Sequence, residues 1–436
     1  MNSPFEIMDT TPFHLILFAL DIVVLGGLFL WIRACRNTGQ ASFSVYHFEK
    51  SLYVPAVARR SSCVWDVTGI VLFGGFGLVC FAVLSRLLFT DYVQEHIDHF
   101  NVGQCIVEGI ALHGTLFLII AASLLFWNHR YFLAVFFGGL ALCLAAFSFN
   151  VLYWEPYHLR IEHYEIKTAK LKKRLRIVFV ADIQADRVGF HEINTLKTIQ
   201  AQNADLIILG GDYVQIFGNE QEKELREEFR QMLIDHPLEA PLGAYAVKGN
   251  IGGNAVLNDV HLFRGTSIKH VWKTTIEPDL GLDKGWDPPI DLVLLSLGHS
   301  VGGLGQRGLT DSGNFIVMAG HYPNYAVNGY TDHKTNKTWD GYKNAERAPD
   351  LMLAGHTHGG QIVLPFYGPI WREDEYLQQV PHDMWRGFFP YPNGGHLLVT
   401  RGSGLERGWA PRVRLFCPAE ISVIDIIPID VVPESP

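Results

Sequence analysis

The chain has 436 residues, 48% hydrophobic and only 18% charged, with a formal net charge of −9. That size and apolar content provide for two or three domains with a sizeable core, and exclude a disordered chain or a small disulfide-stapled one. The acidic balance, with no block of Lys and Arg, argues against a nucleic-acid-binding surface.

Residues 1–155 hold only 7 of the 35 basic and 10 of the 44 acidic side chains. Within them four apolar runs, about Pro12–Ile32, Val64–Phe89, Ile106–Trp127 and Tyr131–Trp154, each reach the roughly 20 residues a helix needs to cross the hydrocarbon layer. They predict a four-helix transmembrane region. The first run reads as an uncleaved anchor, because Glu6 and Asp9 precede it in place of a basic segment. The loop after it carries Arg33, Arg36, Lys50, Arg59 and Arg60, whereas Thr90–Gln104 has no Lys or Arg. This bias puts the first loop in the cytoplasm and, counting crossings, the C-terminal region on the extracytoplasmic side of a plasma or inner membrane. The basic stretch from Arg160 to Arg176 favours the opposite side or an anionic lipid surface. Asp21, Glu108 and His113 fall at membrane depth. They read either as a polar path or as a hydrogen-bonded set holding helices together, and three scattered groups favour the second.

From about Leu159 the pattern becomes short apolar runs ending in Gly, Asp, Asn or His. Arg176–Ala181 runs into Asp182, Leu206–Leu209 into Gly210-Gly211-Asp212, and Ala244–Val247 into Gly249-Asn250. Phe315–Ala319 leads to Gly320-His321, and Leu351–Ala354 to Gly355-His356. Continuous apolar runs of this length predict strands covered on both faces. Between them Glu220–Asp235 predicts a helix with Leu225, Phe229, Met232 and Leu233 on its inner face. Five of the six cysteines precede residue 150 and Cys417 stands alone, so no disulfide framework or CxxC metal site is expected in the C-terminal region.

Asp182, Gln184, Asp212, Asn250, His321, His356 and His358 all lie at or just past strand ends, where α/β sheets place ligand-binding loops. Singly, an Asp there is commonly a cap and a His a core residue. Together, two acids, two amides and three histidines make a mixed oxygen and nitrogen set suited to Mn, Fe or Zn. The densest signal is Gly355-His356-Thr357-His358-Gly359-Gly360, whose glycines let backbone approach a site closely.

In this order, Asp-x-Gln, Gly-Gly-Asp, Gly-Asn, Gly-His and Gly-His-Thr-His-Gly-Gly-Gln-Ile resemble the calcineurin-like metallophosphoesterase superfamily. The segment from Val399-Thr400-Arg401-Gly402-Ser403-Gly404 to Arg414-Leu415-Phe416-Cys417-Pro418-Ala419-Glu420-Ile421 resembles its membrane-associated branch. The resemblance covers about His163 to Ile427. It implies an α/β domain over residues 156–430, a four-layer αββα sandwich, between the helical region of residues 1–155 and a short tail, 431–436. It also implies two divalent metal ions. Asp182, Gln184, Asp212 and His358 would surround one, and Asp212, Asn250, His321 and His356 the other, with Asp212 bridging. A metal-bridging hydroxide would attack phosphorus.

Two positions depart from the family pattern. Gln184 stands where the usual motif has histidine, and an amide oxygen is a harder, weaker donor. Ile251 follows Asn250 where the family has the histidine that protonates the leaving group or holds the phosphate. General acid catalysis is worth roughly 10²–10⁴ in rate, so its loss calls for a substitute, such as His191 or His299, or for a leaving group that departs unaided. The expected function is a membrane-anchored, metal-dependent phosphodiester or phosphoanhydride hydrolase acting on a phospholipid or lipid-linked phosphate. Asp212, Asn250 and His321 form its catalytic core. The alternative is a weakened enzyme that keeps a metal-binding scaffold at the membrane. Gln361, Tyr322 and Asn324, beside the ligand motifs, either line the pocket or support its loops.

Overall fold

The computed structural model describes residues 19, 21–27, 29–30, 107–215, 219–251, 259–271, 275–286, 289–295, 313–323, 330–332, 337–339, 349–370, 384–390, 395–406 and 411–429. The chain divides into two compact units, Met1–Asn150 with Gly408–Pro411, and Val151–Arg407 with Arg412–Pro436.

Among the described residues two helices are long and apolar enough to cross a membrane, α1 (Val107–Trp127) and α2 (Tyr131–Tyr157), of 21 and 27 residues. Of the four expected crossings these are the third and fourth. The first is helical where it is described, and the second lies outside the described residues. The expected ionisable set is partly assembled, since His113 Nδ1 and Asp21 Oδ2 lie 2.5 Å apart. His113 sits in a π-helical turn of α1, Ile110–Gly114, a local widening that is frequent at functional sites.

The end of α2, from Val151 to Tyr157, groups with the second unit. Val151 accepts a hydrogen bond from Arg414 N, and the Glu155 carboxylate accepts one from Cys417 N at 2.5 Å.

The second unit is built on two six-stranded sheets. Its strands in chain order are β1 (Arg160–Thr168), β2 (Leu175–Val180), β3 (Leu206–Leu209), β4 (Ala244–Val247), β5 (Ile268–Val271), β6 (Thr275–Leu280), β7 (Ile290–Leu294) and β8 (Phe315–Ala319). There follow a short pair, β9 (Tyr330–Asp332) and β10 (Lys337–Trp339), then β11 (Leu351–Ala354), a second short pair, β12 (Val363–Leu364) and β13 (Gly368–Pro369), and finally β14 (Gly387–Pro390), β15 (His396–Val399) and β16 (Glu420–Pro428). The first sheet runs β1-β16-β2-β3-β4-β5 and the second β14-β15-β11-β8-β7-β6. Strands β2, β3 and β4 are parallel neighbours, as are β8 and β11.

Period-2 alternation sorts each strand's side chains between two cores. Ile177 and Phe179 of β2, with Leu206 and Ile208 of β3, join Leu292, Leu294, Val317 and Leu353 of the second sheet in one buried cluster between the sheets. Val178, Val180, Ile207 and Leu209, on the opposite face, pack with Leu196 and Ile199 of α3 (Phe190–Ala201) and with Leu225, Phe229, Met232 and Leu233 of α4 (Asn219–Asp235). Sheet-on-sheet packing capped by helices supplies three layers of the expected sandwich. On the outer face of the second sheet Val293, Met318, Met352 and Leu397 are buried as well, and any helical layer over them lies outside the described residues.

Candidate metal centre

The C-terminal ends of β2, β3 and β4 in one sheet and of β8 and β11 in the other deliver all seven expected site residues to one edge of the sandwich. The loops there are stitched to one another. Asp182 N donates to Gly211 O, Gln184 N to Asp212 O, and Gly355 N to His321 O. Asp182, Gln184, Asp212, His356 and His358 all have positive φ, from 39° to 71°. Left-handed backbone at non-glycine residues costs about 1–3 kcal/mol each and concentrates where surrounding structure enforces a functional geometry. The glycines beside them are set by close approach: a Cβ on Gly249 would lie 1.9 Å from Asp212 Oδ1, and one on Gly355 2.8 Å from Asp182 Oδ2.

The tightest group is Asp212, His321 and His356, whose ligand atoms lie within 4.8 Å of one another. Asp212 Oδ2 is 3.1 Å from His321 Nε2. Asn250 Oδ1 sits 2.6 Å from His321 Nε2 and 2.9 Å from His356 Nδ1. His321 Nδ1 lies 2.8 Å from the carbonyl of Gly210. That carbonyl can only accept, so Nδ1 carries the proton and Nε2 is the nitrogen turned toward Asp212 and Asn250.

Asp182 faces a second cluster. Its carboxylate accepts from His356 N at 2.9 Å, and its Oδ1 lies 3.9 Å from His358 Nε2. Gln184, fully buried, donates from Nε2 to Glu406 Oε2 at 2.8 Å. Its Oε1 is thereby directed elsewhere and, among the described residues, has no hydrogen-bond partner, nor does either ring nitrogen of His358.

Buried acceptors and imidazoles without partners are costly, and a bound cation is one way to satisfy them. The residues therefore fit divalent metal ions, with Asp182, Gln184 and His358 facing one position and Asn250, His321 and His356 the other. Asp212 adjoins both groups, through its own 3.1 Å contact with His321 and through the hydrogen bond from Gln184 N to its carbonyl.

The electrostatics reflect crowded charge away from water. Burial, reinforced by the Asp212 charge, pushes the Asp182 carboxyl above the usual carboxylate range, against the pull of His321. Burial alone would depress His321, but Asp212 and then Asp182 outweigh it and raise the imidazole above its ordinary value. His358 goes the other way: burial, followed by the Arg414, His356 and His321 charges, holds it well below 6.5 and therefore neutral, the form that ligates metal.

One residue of this site escaped the sequence reading. Glu406 touches Gln184, lies 3.5 Å from His358 Nε2 and accepts from Gln215 Nε2 at 2.8 Å. It follows no strand and belongs to no motif, so only its sign of charge was visible. Gln361 takes the supporting role: its Oε1 accepts from Glu406 N at 2.8 Å. Tyr322 lines the cluster, its ring 4.4 Å from that of His356. Ile251 gives its backbone N–H to Asp212 Oδ1 at 2.7 Å and offers no side-chain donor. His191 contacts the carbonyl of Ser403 at 2.8 Å; His299 and Asn324 lie outside the described residues. Arg414, fully buried, donates to the carbonyls of Gly404, Arg401 and Cys417, holding the segment that carries Glu406.

Two packed sheets with acids, amides and imidazoles converging at one edge are the arrangement of a divalent-metal site built on strand ends. Residues 175–360 match the family of calcineurin-like phosphoesterases, and this segment is a calcineurin-like metallophosphoesterase domain. The chain is similar to the Bacillus subtilis (strain 168) protein named uncharacterized metallophosphoesterase YkuE, 27% identical over 292 residues, covering 64% of this chain and 92% of that protein. It is also similar to an uncharacterized metallophosphoesterase of Aquifex aeolicus (strain VF5), 25% identical over 302 residues, covering 66% and 97%. A third similar protein is the uncharacterized metallophosphoesterase Cj0846 of Campylobacter jejuni, 23% identical over 282 residues, with 61% and 63% covered.

Proposed function

We propose that this protein is a membrane-anchored phosphoesterase that hydrolyses a phosphodiester or phosphoanhydride carried by a lipid, with its catalytic unit on the extracytoplasmic side. The observation that carries the hydrolytic reading is the meeting of Asp212, Asn250, His321 and His356 around one point. Two divalent ions, of which Mn, Fe and Zn suit the donor set, would supply Lewis-acid charge for the phosphoryl oxygens and an activated water. Asp212 contributes the anionic charge beside both groups, and the backbone N–H of Ile251 keeps its Oδ1 aimed. Asn250 spans His321 and His356 with one amide oxygen. His321 is held in orientation by Gly210 and exposes Nε2. Tyr322 packs on His356 and restricts its ring.

Membrane anchorage is supported by α1 and α2, and the orientation by the loop charges. A tether raises the effective concentration of anything embedded in the same bilayer, which favours a lipid-borne substrate. Ile251 leaves no side chain to protonate the leaving group, so acidic leaving groups are favoured.

The test is Mn-loaded, purified full-length protein assayed on aryl and alkyl phosphodiesters and on a pyrophosphate. Turnover on aryl and pyrophosphate substrates should exceed that on alkyl esters by roughly 10²-fold or more, the typical worth of a general acid, and Asp212→Asn should abolish it. Equal rates on aryl and alkyl esters would refute the leaving-group argument. Metal binding without turnover on any substrate would replace the enzyme by a metal-binding scaffold.

A further inference from the structure

The ten residues from Gln361 to Ile370 carry no charged side chain. They fold as the β12–β13 hairpin, in which Val363 pairs with Pro369 and Leu364 with Gly368. The tip is turned to the outside: Phe366 is completely exposed, and Leu364, Tyr367 and Ile370 are exposed as well. Clustered large apolar side chains on an outer surface mark an interaction site, since single exposed hydrophobics are common but a charge-free projecting loop is not.

Two features place this hairpin. Its base packs on the turn that carries His358, where a Cβ on Gly360 would lie 2.4 Å from Pro369 Cβ. Its first strand also pairs with the C-terminal segment, for Val363 N donates to Leu415 O at 2.9 Å and Leu415 N to Gln361 O at 3.1 Å. The next residue, Phe416, is exposed. That same segment is bound to the end of α2, through Arg414 N to Val151 O and Cys417 N to Glu155 Oε1. Around that end Tyr153, Trp154 and Tyr157 are exposed, the residue types that sit at the boundary of a bilayer where an apolar helix leaves it. A run of direct contacts thus joins the aromatic end of a membrane-length helix, the exposed Phe416, the apolar hairpin and the metal-ligand turn.

We propose that the β12–β13 hairpin is a bilayer-docking element, its tip residues Phe366 and Tyr367 seated in the lipid interface so that the metal centre faces phosphate groups at headgroup level. The inference rests on the reading of α2 as a membrane anchor and of the substrate as lipid-borne. A bilayer is the occupant that matches an exposed apolar hairpin tied, through the segment carrying Phe416, to a helix end of this composition. A protein partner would need polar rim groups, and the hairpin presents none with a charge.

The experiment uses the full-length chain in nanodiscs of phosphatidylcholine and phosphatidylglycerol. An environment-sensitive fluorescent amino acid is introduced by suppression at Phe366 or, as a reference, at the exposed Lys223 of α4. The Phe366 probe is expected to be quenched by lipids doxyl-labelled in the acyl chain and shielded from aqueous iodide relative to Lys223. Iodide quenching equal to that at Lys223, with no doxyl effect, would overturn the proposal.

A second arm compares wild type with the Phe366→Asp, Tyr367→Asp double variant. Its rate on a vesicle-borne phosphodiester should fall at least about tenfold while that on soluble bis(4-nitrophenyl) phosphate stays within about twofold, as loss of interfacial anchoring requires. Equal losses on both substrates, or none on either, count against docking. Should wild type hydrolyse neither substrate, the enzymatic reading fails, while the quenching result still decides where the hairpin sits.

Discussion

At the scale of single residues, Gln184 shows how an unexpected side chain can be accommodated. An amide could face the site with either end, and the Glu406 carboxylate settles the matter by taking the NH2 group and leaving Oε1 inward. Gln215 in turn holds Glu406, so the donor is positioned by a chain of three side chains. Groups that orient a ligand typically affect metal affinity by 10–100-fold. Glu406→Gln removes the charge and allows the Gln184 amide to flip, and it should weaken Mn binding by about that factor in calorimetric titration. Unchanged affinity would show that Glu406 is only a neighbour. Asp212→Asn belongs to the same scale, with a more severe outcome, because it removes the carboxylate charge that meets His321 Nε2 and the Ile251 N–H.

At the scale of elements, β2, β3, β4, β8 and β11 coincide with the apolar runs of the sequence to within one residue, because strands buried on both faces are nearly continuous in hydrophobicity. Helix α4 was equally legible from its four inward residues, all buried. The edge strand β5 was not, since Ile268–Val271 reads as two apolar residues around Lys269 and His270. His270 stacks on Phe263, and among the described residues neither of its ring nitrogens has a hydrogen-bond partner. Burial, aided by the Lys248 charge, pushes it down to about 4. Between that value and about 6.5 the unfolded chain binds a proton that the folded one does not, so stability is complete above pH ~6.5 and is lost as pH falls toward 4, by at most about 3 kcal/mol. His270→Phe keeps the ring and removes the titration. Urea midpoints measured at pH 7 and pH 5 should fall less in the variant than in wild type, and parallel decreases would rule out His270 as the source.

At the scale of the whole molecule, two sheets must be brought together before the metal centre exists. Asp182, Asp212 and Asn250 come from one sheet, and His321, His356 and His358 from the other, joined across the edge by hydrogen bonds such as His321 to Gly210 and His356 N to Asp182. Ions that bind only this assembled edge stabilise the fold by mass action, by about 2.7 kcal/mol at a hundredfold excess over Kd. Chelation should therefore lower the melting temperature of the full-length protein, and restored Mn should raise it again. In Asp212→Asn the response to metal should be much reduced. A melting temperature indifferent to chelator in wild type would mean that the cluster binds no structural charge.

The sequence by itself determined the strand ends, the seven side chains placed there and the apolar length of α1 and α2, because each of these is written in local order and spacing. Only the tertiary structure decided which nitrogen of His321 faces the site, that Glu406 aims Gln184, and that an uncharged hairpin stands beside His358. Those outcomes depend on groups far apart in the chain, 222 positions for Gln184 and Glu406, whose meeting follows from the packing of two sheets and from no local pattern of residues.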